Sequence, residues 1–143
     1  MTLNLIKLCV GADSLEDLAQ WQAGRLKEQR KKGKKKPELI HVTRQTPKRA
    51  EELLDGGSLY WVIKGQIAVR QRLLELREMS RNGVPHCGLV YDAKLIPVLR
   101  RAHRPFQGWR YFDSKDAPLD VRDIRAGNLP DKLKVELAEL GLL

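Results

Sequence analysis

The residues of this chain whose types and spacing could do chemistry are mostly cations. Between Arg25 and Lys36, eight of twelve positions are Lys or Arg, Glu28 being the only acid; Lys31, Lys32, Lys34, Lys35 and Lys36 form its dense end. Like charges this close repel, and a polyanion relieves the repulsion, so the tract reads as a phosphate-contacting surface with salt-dependent affinity. A solvated helix end that keeps the protein in solution would look the same. A second group, Arg44, Lys48 and Arg49, surrounds Thr46-Pro47, a helix-start signal. Cations there make sense when an anion sits between them and the free N–H groups of the helix end; an ordinary exposed turn is the alternative. A third is Arg70 and Arg72, which share a face if their segment is a strand and then suit phosphate or guanine. Pairing with Glu75 or Asp92 would give them a purely structural role. The fourth runs from Arg100 through Arg101, His103 and Arg104 into Pro105-Phe-Gln-Gly-Trp-Arg-Tyr-Phe. Cations interleaved with aromatics suit a surface that tracks a backbone and stacks bases. Arg104, Gln107 and Trp109 are its base-contact candidates. Phe106, Trp109, Tyr111 and Phe112 are also good core residues, and at least two of the four are expected to be buried.

Other chemistries find no footing. His41, His86 and His103 lie far apart, and none has metal-ligand spacing to another His or Cys. No glycine-rich phosphate loop and no Gly-x-Ser-x-Gly elbow occurs. No metal or cofactor is expected. Cys9 and Cys87 belong to no Cys-x-x-Cys pair and are expected to be buried thiols.

The 143 residues, 42% hydrophobic and 31% charged, fit one globular domain, 1–143. No apolar run approaches the ~20 residues of a membrane span, and the start lacks the basic region and cleavage site of a signal peptide. A cytoplasmic protein without membrane contact is the expectation. The net charge of +9 is uneven: residues 1–112 hold 22 Lys/Arg against 11 Asp/Glu, whereas residues 113–143 hold 5 against 7. A basic body with a mildly acidic end is a common layout for nucleic-acid binders.

The elements that must position these groups follow from local pattern. Leu3 to Val10 reads as a strand with Asn4 and Lys7 as its only strongly polar members. Ser14 caps a helix carrying Leu15, Leu18, Gln22 and Leu26 on one stripe, with Trp21 beside it and Gly33 at its end. Glu38 to Thr43 is a short strand, Thr46-Pro47 starts a helix reaching Leu54, and Ser58 to Lys64 is an aromatic, β-branched strand. Gln66 to Met79 fits either period; a long strand is preferred, because Asn82-Gly83 is a hairpin turn leading into Cys87 to Tyr91. Lys94 to Val98 and Trp109 to Phe112 are further strands, with a basic loop between them. Residues 113–127 read as an acidic loop, and Pro130 opens a C-terminal helix; this loop and helix, 113–143, are expected to pack on the rest. The fold class is α+β, with a mainly antiparallel sheet or a small β-barrel and flanking helices.

Taken together, Leu5-Ile-Lys-Leu-Cys-Val-Gly, Gly56-Gly-Ser-Leu-Tyr-Trp-Val-Ile-Lys-Gly, Arg70-Gln-Arg and Arg104-Pro-Phe-Gln-Gly-Trp-Arg-Tyr resemble a family of uncharacterised alphaproteobacterial proteins over nearly the whole chain. That family, a domain of unknown function, implies no activity. A Lys-Gly turn followed by a strand with alternating Arg is also similar to PUA-like domains, including the ASCH branch. Those are small barrels that often bind RNA, and a few are hydrolases. Ile67 and Arg70 depart from the Lys and Glu of the ASCH pattern. The functional expectation is a non-catalytic nucleic-acid-binding module, RNA favoured or ribosome-associated. The alternatives are a small enzyme on a nucleotide or other anion, with Lys64 or Asp92 moving protons, and an adaptor for an acidic protein partner.

Overall fold

The computed structural model describes residues 2–126, so the expected helix after Pro130 lies outside the described residues. Seven strands form one mixed sheet in the order β2-β5-β4-β3-β1-β7, with β6 paired to β4 off that path. Of the six strand pairings, β1·β3 is parallel and the other five are antiparallel. The expected α+β class with a mainly antiparallel sheet holds. The barrel alternative does not, because the end strands β2 (Leu39–Thr43) and β7 (Trp109–Asp113) share no ladder. They are linked by side chains instead: Trp109 Nε1 donates to the Gln45 carbonyl at 2.7 Å, and the Lys48 and Arg49 amides donate to the Tyr111 hydroxyl.

The sheet is built on β4 (Gln66–Arg81), a strand throughout, as preferred from the sequence. It is entered through Lys64-Gly65 and left through Asn82-Gly83. Both residues of each turn have positive φ (48° and 77°, 51° and 79°), the hairpin geometry whose twist matches its strands. Glycine takes the second position at no steric cost. β4 pairs with β3 (Ser58–Ile63), β5 (Val84–Tyr91) and β6 (Ile96–Ala102). β1 (Leu3–Leu8) lies between β3 and β7, which is why it is apolar on both faces.

One face packs Leu3, Leu5, Leu59, Trp61, Val69 and Leu89 under helix α1 (Leu15–Lys31); the other packs Ile6, Tyr60, Val62 and Ile67 with Val98 and Phe106. Ser14 caps α1 by accepting the Asp17 amide at 3.0 Å. Leu18 and Gln22 are its buried residues. Gln22 meets Gln71 of β4 in a reciprocal amide pair of 2.9 and 2.7 Å. Gln71, fully buried, also accepts the Trp61 indole N–H and donates to the Asp92 carbonyl.

Three sequence expectations need correction. The short helix α2 spans only Ala50–Leu54: the Lys48 and Arg49 amides are held by Tyr111, outside any helical turn. The strand expected at Lys94 begins at Ile96 and runs to Ala102, taking in part of the presumed basic loop. The segment after Asp113 contains a 3-10 turn, Ser114–Asp116, and helix α3 (Val121–Ala126). Its Asp120 anchors it, receiving a two-point ion pair from Arg70 at 2.9 and 2.7 Å.

Replacing Gln71 by Leu strands the Gln22 amide and the Trp61 N–H in the interior, at about 1–3 kcal/mol for each group left unpaired. The expected result is a loss of about 2–4 kcal/mol, read as a lower urea midpoint with unchanged slope. The double variant Gln22→Leu/Gln71→Leu should recover part of it, since fewer polar groups are then stranded.

Candidate functional site

The second and fourth cationic groups meet, where Trp109 donates to the Gln45 carbonyl and Arg49 lies over Tyr111, whereas Arg70 of the third is committed to Asp120. Lys31 ends α1, and Lys32 caps it while pairing with Glu28 at 3.6 Å. Lys34 pairs with Glu38 at 3.3 Å. Lys35 and Lys36 are exposed and form no ion pair among the described residues. The loop bearing them is closed at its base, because the Gln29 side chain donates to the Glu38 carbonyl and accepts its amide. Arg44 and Lys48 are exposed in the loop after β2. Arg49 pairs with Glu52 and lies 5.5 Å over the Tyr111 ring. α2 starts later than expected, at Ala50, so Arg49 is its N-cap and Lys48 directly precedes it, while Arg44 lies further back in the loop.

Arg70 and Arg72 do share a face of β4, but Arg70 is largely buried and structural. Its guanidinium is taken by Asp120, not by Glu75 or Asp92, and by the Ser58 hydroxyl at 2.8 Å. Arg72 is exposed and lines an open concavity of about 370 Å³ with Asp92, Lys94 and Arg122. Lys64 lies elsewhere, at the far turn of β4. Arg104 and Gln107 are exposed on the loop before β7. Trp109 is partly buried against the core, its N–H engaged by Gln45 and its ring 4.9 Å from Tyr111. Of the four aromatics in this stretch only Phe106 is buried; Phe112 and Trp109 are partly so, and Tyr111 is exposed.

The most enclosed cavity found lies elsewhere, between the end of β1, the middle of α1 and β2. It measures about 290 Å³ and is lined by Lys7, Cys9, Trp21, His41, Trp61 and Tyr91, among others. Strand alternation explains the set. Lys7 follows Leu3 and Leu5 on the core-facing side of β1, and His41 follows Leu39 on that of β2. Trp61 contacts His41 and Tyr91 edge-on at 5.7 and 5.9 Å. Trp21 stands half exposed at the mouth, with Arg25 5.1 Å over its ring.

No carboxylate lines this cavity, and among the described residues Lys7 has no ion-pair or hydrogen-bond partner. Burial lowers the Lys7 pKa. Burial, and then the charges of Lys7 and Arg81, bring His41 down to about 4, so its ring is neutral near neutral pH. A neutral imidazole offers one donor and one acceptor. Burial also raises the Cys9 thiol and holds the Tyr91 hydroxyl at about 12, so neither is an activated nucleophile. The lining combines hydrogen-bond donors, aromatic rings and one amine. The sequence reading passed over these residues as strand or core. One signal was there: Lys7 is an inward-facing lysine in an otherwise apolar strand.

A family profile described as "Protein of unknown function (DUF1489)" matches residues 5–143. The chain belongs to this family. The resemblance to an uncharacterised family, read from the motifs over nearly the whole chain, is thereby established. No curated protein and no solved structure matches it. Among the described residues of this DUF1489 member, no helix is long and apolar enough to cross a membrane.

The His41 environment has a pH consequence. Its folded pKa, about 4, lies below its ordinary 6.5, so the unfolded chain binds the proton more readily. The stability this contributes is present above 6.5 and is lost as the pH falls toward 4. The ring is partly exposed, so the loss is set at about 1–2 kcal/mol rather than the full shift. Urea titrations across this window should show the decline, and His41→Asn should flatten it.

Proposed function

We propose that this DUF1489 protein is a non-catalytic nucleic-acid-binding module of the cytoplasm, with single-stranded RNA, free or ribosomal, as the favoured partner. The observation that supports it best is how the cations are used. Arg70 and Arg77 are committed to bidentate pairs with Asp120 and Glu38, and Arg49 to Glu52. Along α1 and the loop after it, Arg25, Lys27, Arg30, Lys31, Lys35 and Lys36 have no carboxylate partner among the described residues and face outward. Such a strip gains from phosphate what it cannot gain from the protein, through charge neutralisation and counterion release. The strip begins beside the aromatic cavity: Trp21 and Lys31 are ten residues apart on α1, about 15 Å at ~1.5 Å per residue. A basic track next to flat aromatic walls suits single-stranded RNA, whose bases are free to leave the stack.

A second reading has one observation in its favour. Arg72, Lys94, Arg122 and Asp92 converge in the open concavity beside β4, the arrangement a small-anion enzyme would need. Arg70 is largely spent on Asp120 and Lys64 is distant, which leaves Asp92 to move a proton without its expected lysine.

A mobility-shift titration of oligouridylate across salt concentration tests the first reading. Affinity should fall linearly with log salt at about 0.7 per phosphate contact. The triple variant Lys31→Gln/Lys35→Gln/Lys36→Gln should reduce that slope by about 2. Binding that is absent at low salt, or indifferent to salt, refutes it.

A further inference from the structure

We propose, resting on the nucleic-acid reading above, that the cavity beneath Trp21 receives one unstacked base of the bound strand, guanine before the other three. Three independent observations converge on it. The volume, about 290 Å³, is at the foot of the ~300–1,000 Å³ range for small-molecule sites and suits one base. The walls are aromatic on several sides, from Trp21, Trp61, His41 and Tyr91, which matches a flat π ligand and not a sugar or a bare phosphate. The electrostatics select an electron-rich edge. Lys7 lines the cavity and Arg25 lies over Trp21 at its mouth, and among the described residues Lys7 has no partner and no carboxylate lines the space to answer them.

Which base follows from donor and acceptor placement. An ammonium has three donors and no acceptor. Guanine presents two adjacent acceptors, N7 and O6, on one edge; adenine sets its N6 amino donor beside N7, and cytosine presents its N4 amino donor. On the corresponding edge uracil offers O4 alone. Lys7 therefore favours guanine, then uracil, and disfavours the two bases whose amino groups would face it. His41, neutral, is left to meet one further polar atom with either ring nitrogen. Trp21, half exposed, is the ring a base entering from solvent meets first.

The division of labour is then clear. The strip from Arg25 to Lys36 holds the backbone without regard to sequence, and the cavity reads one position.

The experiment is fluorescence anisotropy of the intact protein with four labelled oligo-adenylates, carrying a central guanosine, uridine, cytidine or nothing, at one salt concentration. The guanosine oligomer should bind about tenfold tighter than plain oligo-adenylate, the size of one good base contact. Lys7→Met, which keeps the stem and removes the donors, should bring that ratio to about one. Trp21→Ala, at an exposed helical position, should cost the guanosine oligomer about tenfold by loss of stacking. Lys35→Gln/Lys36→Gln should weaken all four oligomers alike and keep the ratio. Equal, salt-dependent binding of all four, or a guanosine preference that survives in Lys7→Met, overturns the base pocket and leaves the backbone reading standing. No binding of any oligomer removes both. A urea midpoint measured for Trp21→Ala separates lost stacking from lost fold.

Discussion

The buried amide pair of Gln22 and Gln71 is the constraint on which the placement of the other parts depends. A primary amide in the interior must have its donors and acceptor met, and each amide here answers the other. Gln71 has further capacity, which it uses to hold the Trp61 indole and the Asp92 carbonyl. One side chain in the middle of β4 thus sets where α1 lies, how Trp61 is turned, and where the chain leaves β5. Turning α1 by one residue, about 100°, would point Gln22 away and leave Gln71 stranded. Apolar packing through Leu18 and Leu26 tolerates small slips; the amide pair does not. The cavity inherits this precision, since Trp61 is one of its walls and α1 supplies another.

Charge is apportioned by chemistry. The planar guanidinium, which can meet a carboxylate at two points, joins elements: Arg70 ties α3 and the turn before it to the sheet, and Arg77 ties β4 to Glu38 at the start of β2. The Arg77 charge keeps the Glu38 and Glu75 carboxyls below their usual range. Among the described residues, lysines make single pairs, Lys32 with Glu28 and Lys34 with Glu38, of the kind that contributes little to stability. Asp120, beyond Asp113, is buried and answers Arg70.

Much of the fold was legible because local signals agreed with tertiary demand. Asn82-Gly83 called for a hairpin, and the strand reading of residues 66–79 followed from it; Ser14 and Asp17 gave the start of α1. Thr46-Pro47 misled by placing the start too early: α2 begins at Ala50, and the distant Tyr111 hydroxyl holds the Lys48 and Arg49 amides before it. The true partner of Arg70 was hidden for the same reason: Asp120 is 50 residues away, and no local pattern connects them. The cavity was illegible as a site although Lys7, Trp21, His41, Trp61 and Tyr91 were each read correctly as strand or helix; Cys9, read as strand, lies just past the end of β1. The cavity is made by the convergence of several elements, and only the lone lysine of β1 hinted at it.

The order in which the sheet can assemble gives the two tight turns a kinetic meaning. β3, β4 and β5 are joined through two-residue turns, so their ladders close with little loss of chain entropy. β1 must find β3 across 54 residues and β7 across 110. Contacts between remote stretches of chain are the slow ones. The central hairpins form a template to which β1 is added afterwards, carrying Lys7 with it. The cavity is therefore completed late in folding, and a nascent chain has its meander before it has a place for a ligand.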